Sequence, residues 1–91
     1  MRVKLFANLA ETAGERELTV EVSSDQTLAE LLEELFNEHP ALREEILDDA
    51  VLQDHITILV NGEKIPHTES GLEAVVSSDD EIAIFPPVSG G

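Results

Sequence analysis

The spacing of the apolar residues changes twice along this chain, from every second residue to a helical period and back, which commits it to strands on either side of one amphipathic helix. Residues 1–7 alternate, with Met1, Val3, Leu5 and Ala7 on one side and Arg2, Lys4 and Phe6 on the other, the pattern of a half-buried strand. Leu9 to Gly14 reads as a short helical turn that stops at a glycine. A second alternation puts Leu18, Val20 and Val22 inward against Glu17, Thr19 and Glu21, and so compact a connection predicts an antiparallel pair. From Thr27 the period becomes helical. Thr27 and Glu30 have the spacing of a capping box, and Leu28, Leu31, Leu32, Leu35 and Phe36 make a single apolar stripe that leaves Glu30, Glu33, Glu34 and Glu38 outside it. Pro40 cannot continue that helix but can open another, so Pro40 to Leu47 predicts a short second helix with Leu42 and Ile46 inward.

Asp48 to Asp54 reads as an acidic loop. The β-branched run Ile56-Thr57-Ile58-Leu59-Val60 then meets Asn61-Gly62, a strong hairpin signal, with Glu63 to Ile65 as the return strand. Residues 66–80 read as irregular, with Leu72 and Val75 as core plugs. Glu81 to Phe85 is the final strand, ended by Pro86-Pro87 because proline cannot donate to a ladder. The fold class is therefore α+β: a mixed sheet of four to five strands covered on one face by one main helix plus a short second helix. The economical packing sets the first and last strands side by side in the centre, the β-grasp or ubiquitin-like arrangement. Residues 1–85 form the domain and residues 86–91 a flexible tail.

Composition removes whole classes of function. Twenty acids against five lysines and arginines give a formal charge of −15, which repels nucleic-acid phosphates and anionic membranes alike. The absence of cysteine excludes disulfides, thiolate metal sites and a cysteine nucleophile. Apolar runs are short and no basic-then-apolar leader precedes Arg2-Val3-Lys4, so the expected compartment is the cytoplasm. His39, His55 and His67 lie far apart, and neighbouring acids such as Glu33-Glu34 and Glu44-Glu45 diverge on a helix, so no metal site is expected. None of the phosphate-loop, dinucleotide or nucleophile-elbow motifs occurs. The dispersed acids resemble those of proteins from salt-accumulating organisms; the alternative is an ordinary acidic protein with a basic partner.

The last residues are Phe85-Pro86-Pro87-Val88-Ser89-Gly90-Gly91. With Val3-Lys4-Leu5-Phe6-Ala7 near the start, Asn61-Gly62 in the turn and Asp80-Glu81-Ile82 opening the last strand, they make the chain resemble the MoaD/ThiS sulfur-carrier family over essentially its whole length. The resemblance is nearest the small archaeal modifier proteins and the molybdopterin synthase small subunit, and its most specific part is the F-P-P-V-x-G-G ending. It implies that an E1-like adenylating enzyme, supplying its own ATP and magnesium, activates the Gly91 carboxylate as an acyl adenylate. Gly91 then becomes a thiocarboxylate that gives up sulfur, or an acyl donor that forms an isopeptide bond with lysine; Lys4 and Lys64 are the acceptors within this chain. The implied partners are that enzyme and either the molybdopterin synthase large subunit or lysine-bearing target proteins. The protein itself is then a carrier and not an enzyme.

The residue types suit that chemistry. A glycine carboxylate has no side chain to obstruct a narrow pocket, Gly90 adds backbone freedom, and Pro86-Pro87 favours an extended stem. Six extended residues, with Val88 and Ser89 among them, reach about 20 Å. Strand parity also predicts that Phe6, Leu59 and Phe85 emerge on the face the helix leaves uncovered, an apolar patch at the root of the tail. The family docks through this face and the tail, although near Lys64 the resemblance implies an apolar contact that this chain lacks. Three functions compete: a modifier that also carries sulfur, a dedicated molybdopterin synthase small subunit, and a non-covalent acidic interaction domain.

Overall fold

The two early alternations fold into β1 (Arg2–Leu5) and β2 (Glu17–Thr19), antiparallel, with Val3 opposite Leu18 and Lys4 opposite Glu17. This computed structural model describes residues 1–21, 25–48, 51–53, 55–65 and 69–86. The inward position assigned to Val22 lies outside them. Between the two strands runs α1 (Asn8–Ala13), released at Gly14 in the left-handed region with φ 82°. β1 ends before Ala7, which is exposed and not inward as its parity predicts. The reason is a tight turn in which the Leu9 N–H donates to the Phe6 carbonyl at 3.2 Å and Ala7 takes φ 52° and ψ −128°.

β3 (Gln26–Thr27) leads into α2 (Leu28–Glu38), where the capping box is complete. The Thr27 hydroxyl accepts from the Glu30 N–H at 3.2 Å, and the Glu30 carboxylate accepts from the Thr27 N–H at 3.0 Å. All five stripe residues are buried. α3 (Ala41–Ile46) follows Pro40 and buries Leu42 and Ile46. Its Arg43 forks onto Glu33 at 3.0 and 2.7 Å and lies 5.0 Å over the Phe36 ring.

In the acidic stretch expected to be loop, the described residues are more ordered than composition predicts, and residues 49, 50 and 54 lie outside them. β4 (Leu47–Asp48) and β5 (Val51–Leu52) pair antiparallel, with Leu47 opposite Leu52. Leu52 is core, and the Gln53 side-chain amide donates to the carbonyls of Glu44 and Leu47, so the hairpin satisfies the open end of α3. Next come β6 (Thr57–Val60) and β7 (Glu63–Lys64), joined by Asn61-Gly62 at φ 52° and 87°, then α4 (Glu69–Leu72), β8 (Val75–Val76) and β9 (Glu81–Phe85). α4 and β8 interrupt the segment expected to be irregular over 66–80, of which residues 66–68 lie outside the described residues. β8 pairs with β3, Val75 opposite Thr27 and Val76 opposite Gln26, so Val76 is fully buried while Val75 is 66% exposed. The expected plug is thus one residue off, because pairing sets which valine turns inward. Leu72 packs against the core as expected.

The main sheet has the order β2-β1-β9-β6-β7, with β1 and β9 parallel in the centre and all other pairs antiparallel. Val3, Leu5, Ile58, Ile82 and Ile84 join the α2 stripe in one buried core, leaving the opposite face of the sheet without a covering helix among the described residues.

Candidate functional site

Side chains alternate across a strand, so register alone fixes the composition of the open face. Lys4 lies opposite Ala83, Ala83 opposite Leu59, and Leu59 opposite Lys64, which makes one row across four strands. Phe85 lies opposite Thr57 in the next row, and Phe6 continues β1 beside it. The Phe6 and Phe85 rings stack with centroids 4.3 Å apart and planes 21° from parallel. Phe6 is 38% exposed, while Leu59 and Phe85 are half-buried. The structure therefore brings together the three apolar residues that parity selects, and adds Ala83, which has the parity of Phe85 and was legible on that ground. Beside Phe6 an open groove of about 730 Å³ runs toward Ala10 and Arg16.

The two lysines differ in their surroundings. Lys4 reaches Glu81 at 3.2 Å, and Arg2 reaches the other oxygen of the same carboxylate at 3.2 Å. Lys64 is exposed and forms no ion pair among the described residues. Pro86 follows β9 directly; Pro87, Val88, Ser89, Gly90 and Gly91 lie outside the described residues, as does His67.

A polar latch that the sequence reading missed fixes the start of β9. The Asn61 N–H donates to the Glu81 carbonyl at 2.8 Å, the Asn61 side-chain oxygen accepts from the Glu81 N–H at 2.9 Å, and its amide donates to Asp80 at 2.9 Å. The second Asp80 oxygen accepts from the Ser77 N–H at 2.8 Å. These bonds, the one from Asn61 first, hold the Asp80 carboxyl below its ordinary value. Asn61-Gly62 and Asp80-Glu81, nineteen residues apart in the chain, are thus one contact. Its only signal in the sequence is that asparagine suits both the positive φ and the side-chain bonds.

Among the described residues no three histidines, cysteines or acids gather as a metal site, and no helix is long and apolar enough to cross a membrane. A β-grasp sheet whose central last strand runs past an uncovered apolar patch to reach Pro86 places the chain in the class of ubiquitin-like proteins. The chain belongs to the ThiS family, whose model matches residues 3–91. It is 46% identical to small archaeal modifier protein 1 of Haloferax volcanii, with all of both chains covered. It is 34% identical to the molybdopterin synthase sulfur carrier subunit of Arabidopsis thaliana, over all of this chain and 82% of that one. The crystal structure of the Haloferax volcanii small archaeal modifier protein 1 superposes with a TM-score of 0.84 at 43% identity, covering 97% of each chain.

Proposed function

We propose that this protein is a ubiquitin-like modifier and sulfur carrier whose reactive group is the Gly91 carboxylate. The observation that carries the reading is the family match running through Gly91, together with 46% identity along the full length of a small archaeal modifier protein. In the reaction, a Gly91 carboxylate oxygen attacks the α-phosphorus of ATP in an E1-like adenylating enzyme, and pyrophosphate leaves. Hydrosulfide or a lysine amine then attacks the acyl carbon and loses a proton as AMP leaves, giving a thiocarboxylate or an isopeptide bond. ATP and magnesium belong to the activating enzyme, so this chain is a carrier on which enzymes act. Its own part is to present: residues 1–85 as the folded domain, Phe6, Leu59, Ala83 and Phe85 as a docking patch, and residues 86–91 as six residues that reach about 20 Å when extended. Within this chain Lys64 is the freer acceptor, because Lys4 is held by Glu81. The reaction belongs to the cytoplasm, and the dispersed acids suit a salt-rich one.

A second reading, a dedicated molybdopterin synthase small subunit acting with its large subunit, is supported by the 34% identity to a sulfur carrier subunit. Mass spectrometry of cells expressing a tagged copy separates the two. Lysine conjugates carrying a Gly-Gly remnant support the modifier, a thiocarboxylated monomer alone supports the dedicated subunit, and neither product points to a non-covalent module. Deleting Gly90 and Gly91 should abolish ATP-dependent adenylate formation while leaving the urea midpoint unchanged. Normal activation of the shortened chain would overturn the proposal.

A further inference from the structure

The open face lacks the acid excess of the chain as a whole. At strand positions turned away from α2 stand Arg2, Lys4 and Lys64 against Glu17 and Glu81, and Glu21 follows Glu17 in the same parity, so this face is close to neutral in a chain whose formal charge is −15. The acids of α2 and α3 line the opposite side. On the open face Arg2 and Lys4 are already neutralised within the molecule, sharing Glu81, with Arg2 also 3.6 Å from Glu17. Arg43, on the helix side, is held by Glu33 at 2.7 Å. Lys64 alone of the three open-face cations has no such partner among the described residues, in a chain with twenty acids. Through the register it sits beside Leu59, at the far end of the apolar row from Lys4.

A partner surface that covers Leu59 must therefore also take water from the Lys64 ammonium. An apolar surface offers nothing in return, whereas a carboxylate pairs with the ammonium and meets a nearly neutral face of an otherwise acidic protein. Resting on the docking reading above, we propose that the activating enzyme receives Phe85, Ala83 and Leu59 in an apolar trough that ends in a carboxylate opposite Lys64, and that this ion pair selects the partner. Lysine on an edge strand also discourages edge-to-edge pairing, a role that needs no partner; the test separates the two.

The full-length protein is titrated into the activating enzyme of the same organism by calorimetry, in 0.1 M and 1 M KCl. Lys64→Glu should weaken binding about tenfold or more in 0.1 M KCl and distinctly less in 1 M, since charge reversal acts through a pair that salt screens. Lys64→Arg should bind as the parent does, and Lys64→Leu should be several-fold weaker. Lys64 is exposed, so in 1 M KCl, where surface repulsion is screened, all three should keep the parent urea midpoint. Phe85→Ala, run alongside, reports on the docking reading by itself. If Phe85→Ala weakens binding while the Lys64 variants match the parent, or Lys64→Leu binds more tightly, the carboxylate inference is overturned and the docking face stands. If neither Phe85→Ala nor any Lys64 variant changes the affinity, the docking reading falls first.

Discussion

Truncating Phe6 and Phe85, singly and together, separates what the patch does for the fold from what it does for binding. The two rings are a near-parallel stack at 4.3 Å, so each single alanine variant loses the same contact. Such a pair contributes about 0.5–1.5 kcal/mol beyond its buried area. Both side chains keep part of their surface in water, so each single truncation should cost the monomer about 1–2 kcal/mol, below the 3–5 typical of a fully buried phenylalanine. The double variant should cost about 1 kcal/mol less than the two singles added, because the shared stack can be lost only once. In a domain of this size that coupling corresponds to roughly 4–8 °C in Tm. Binding to the activating enzyme should respond more strongly: loss of a central anchor costs about 2 kcal/mol or more, roughly a thirtyfold rise in Kd. Urea denaturation of the four proteins, paired with calorimetric titration, measures both quantities. A coupling within about 0.3 kcal/mol of zero would mean that the rings do not support each other. A Phe85→Ala variant that loses over 3 kcal/mol of stability yet binds normally would make Phe85 core and refute the patch.

Four other perturbations test the frame that carries the patch. Asn61→Ala removes both side-chain bonds to the start of β9 and should lower stability by about 2 kcal/mol, with Asn61→Gly, which keeps the turn, recovering only part of it; equal midpoints for all three proteins would refute the latch. Because the Asp80 carboxyl is held below its unfolded value, its contribution is fully present above about pH 4 and is lost as pH falls through the folded pKa, so the stability gap between parent and Asp80→Asn should close in acid and not in base. Ala7→Gly should raise the thermal midpoint, since Ala7 takes φ 52° and ψ −128° at a turn position that favours glycine, and relief of about 1 kcal/mol is expected; a lower midpoint would contradict that geometry. Finally, with −15 formal charge, stability should climb as KCl goes from about 0.1 M, where the Debye length is roughly 10 Å, to about 1 M, where it is roughly 3 Å. Replacing Glu30, Glu33, Glu34 and Glu38 with glutamine should flatten that slope in a urea or thermal series, and an equal slope would clear surface repulsion of blame.

The sequence by itself determined the elements whose cause is local. The capping box at Thr27, the α2 stripe, the Asn61-Gly62 turn and the parity of β1, β6 and β9 depend on residues a few positions apart, and each is in the structure where spacing puts it. Parity also sufficed to send Phe6, Leu59 and Phe85 to the open face, because a strand buried on one side leaves its other set of side chains no choice. Tertiary structure decided whatever depends on a partner distant in the chain. Val76 and not Val75 is core because β8 pairs with β3, and Val51-Leu52 is strand because Leu47-Asp48 is its neighbour. The Asn61–Asp80 latch and the two cations sharing Glu81 arise only once β9 slides between β1 and β6. Local spacing fixes which face a side chain takes, but the choice among chemically equivalent partners, such as which of twenty acids a lysine meets, is made only when the strands are brought into register.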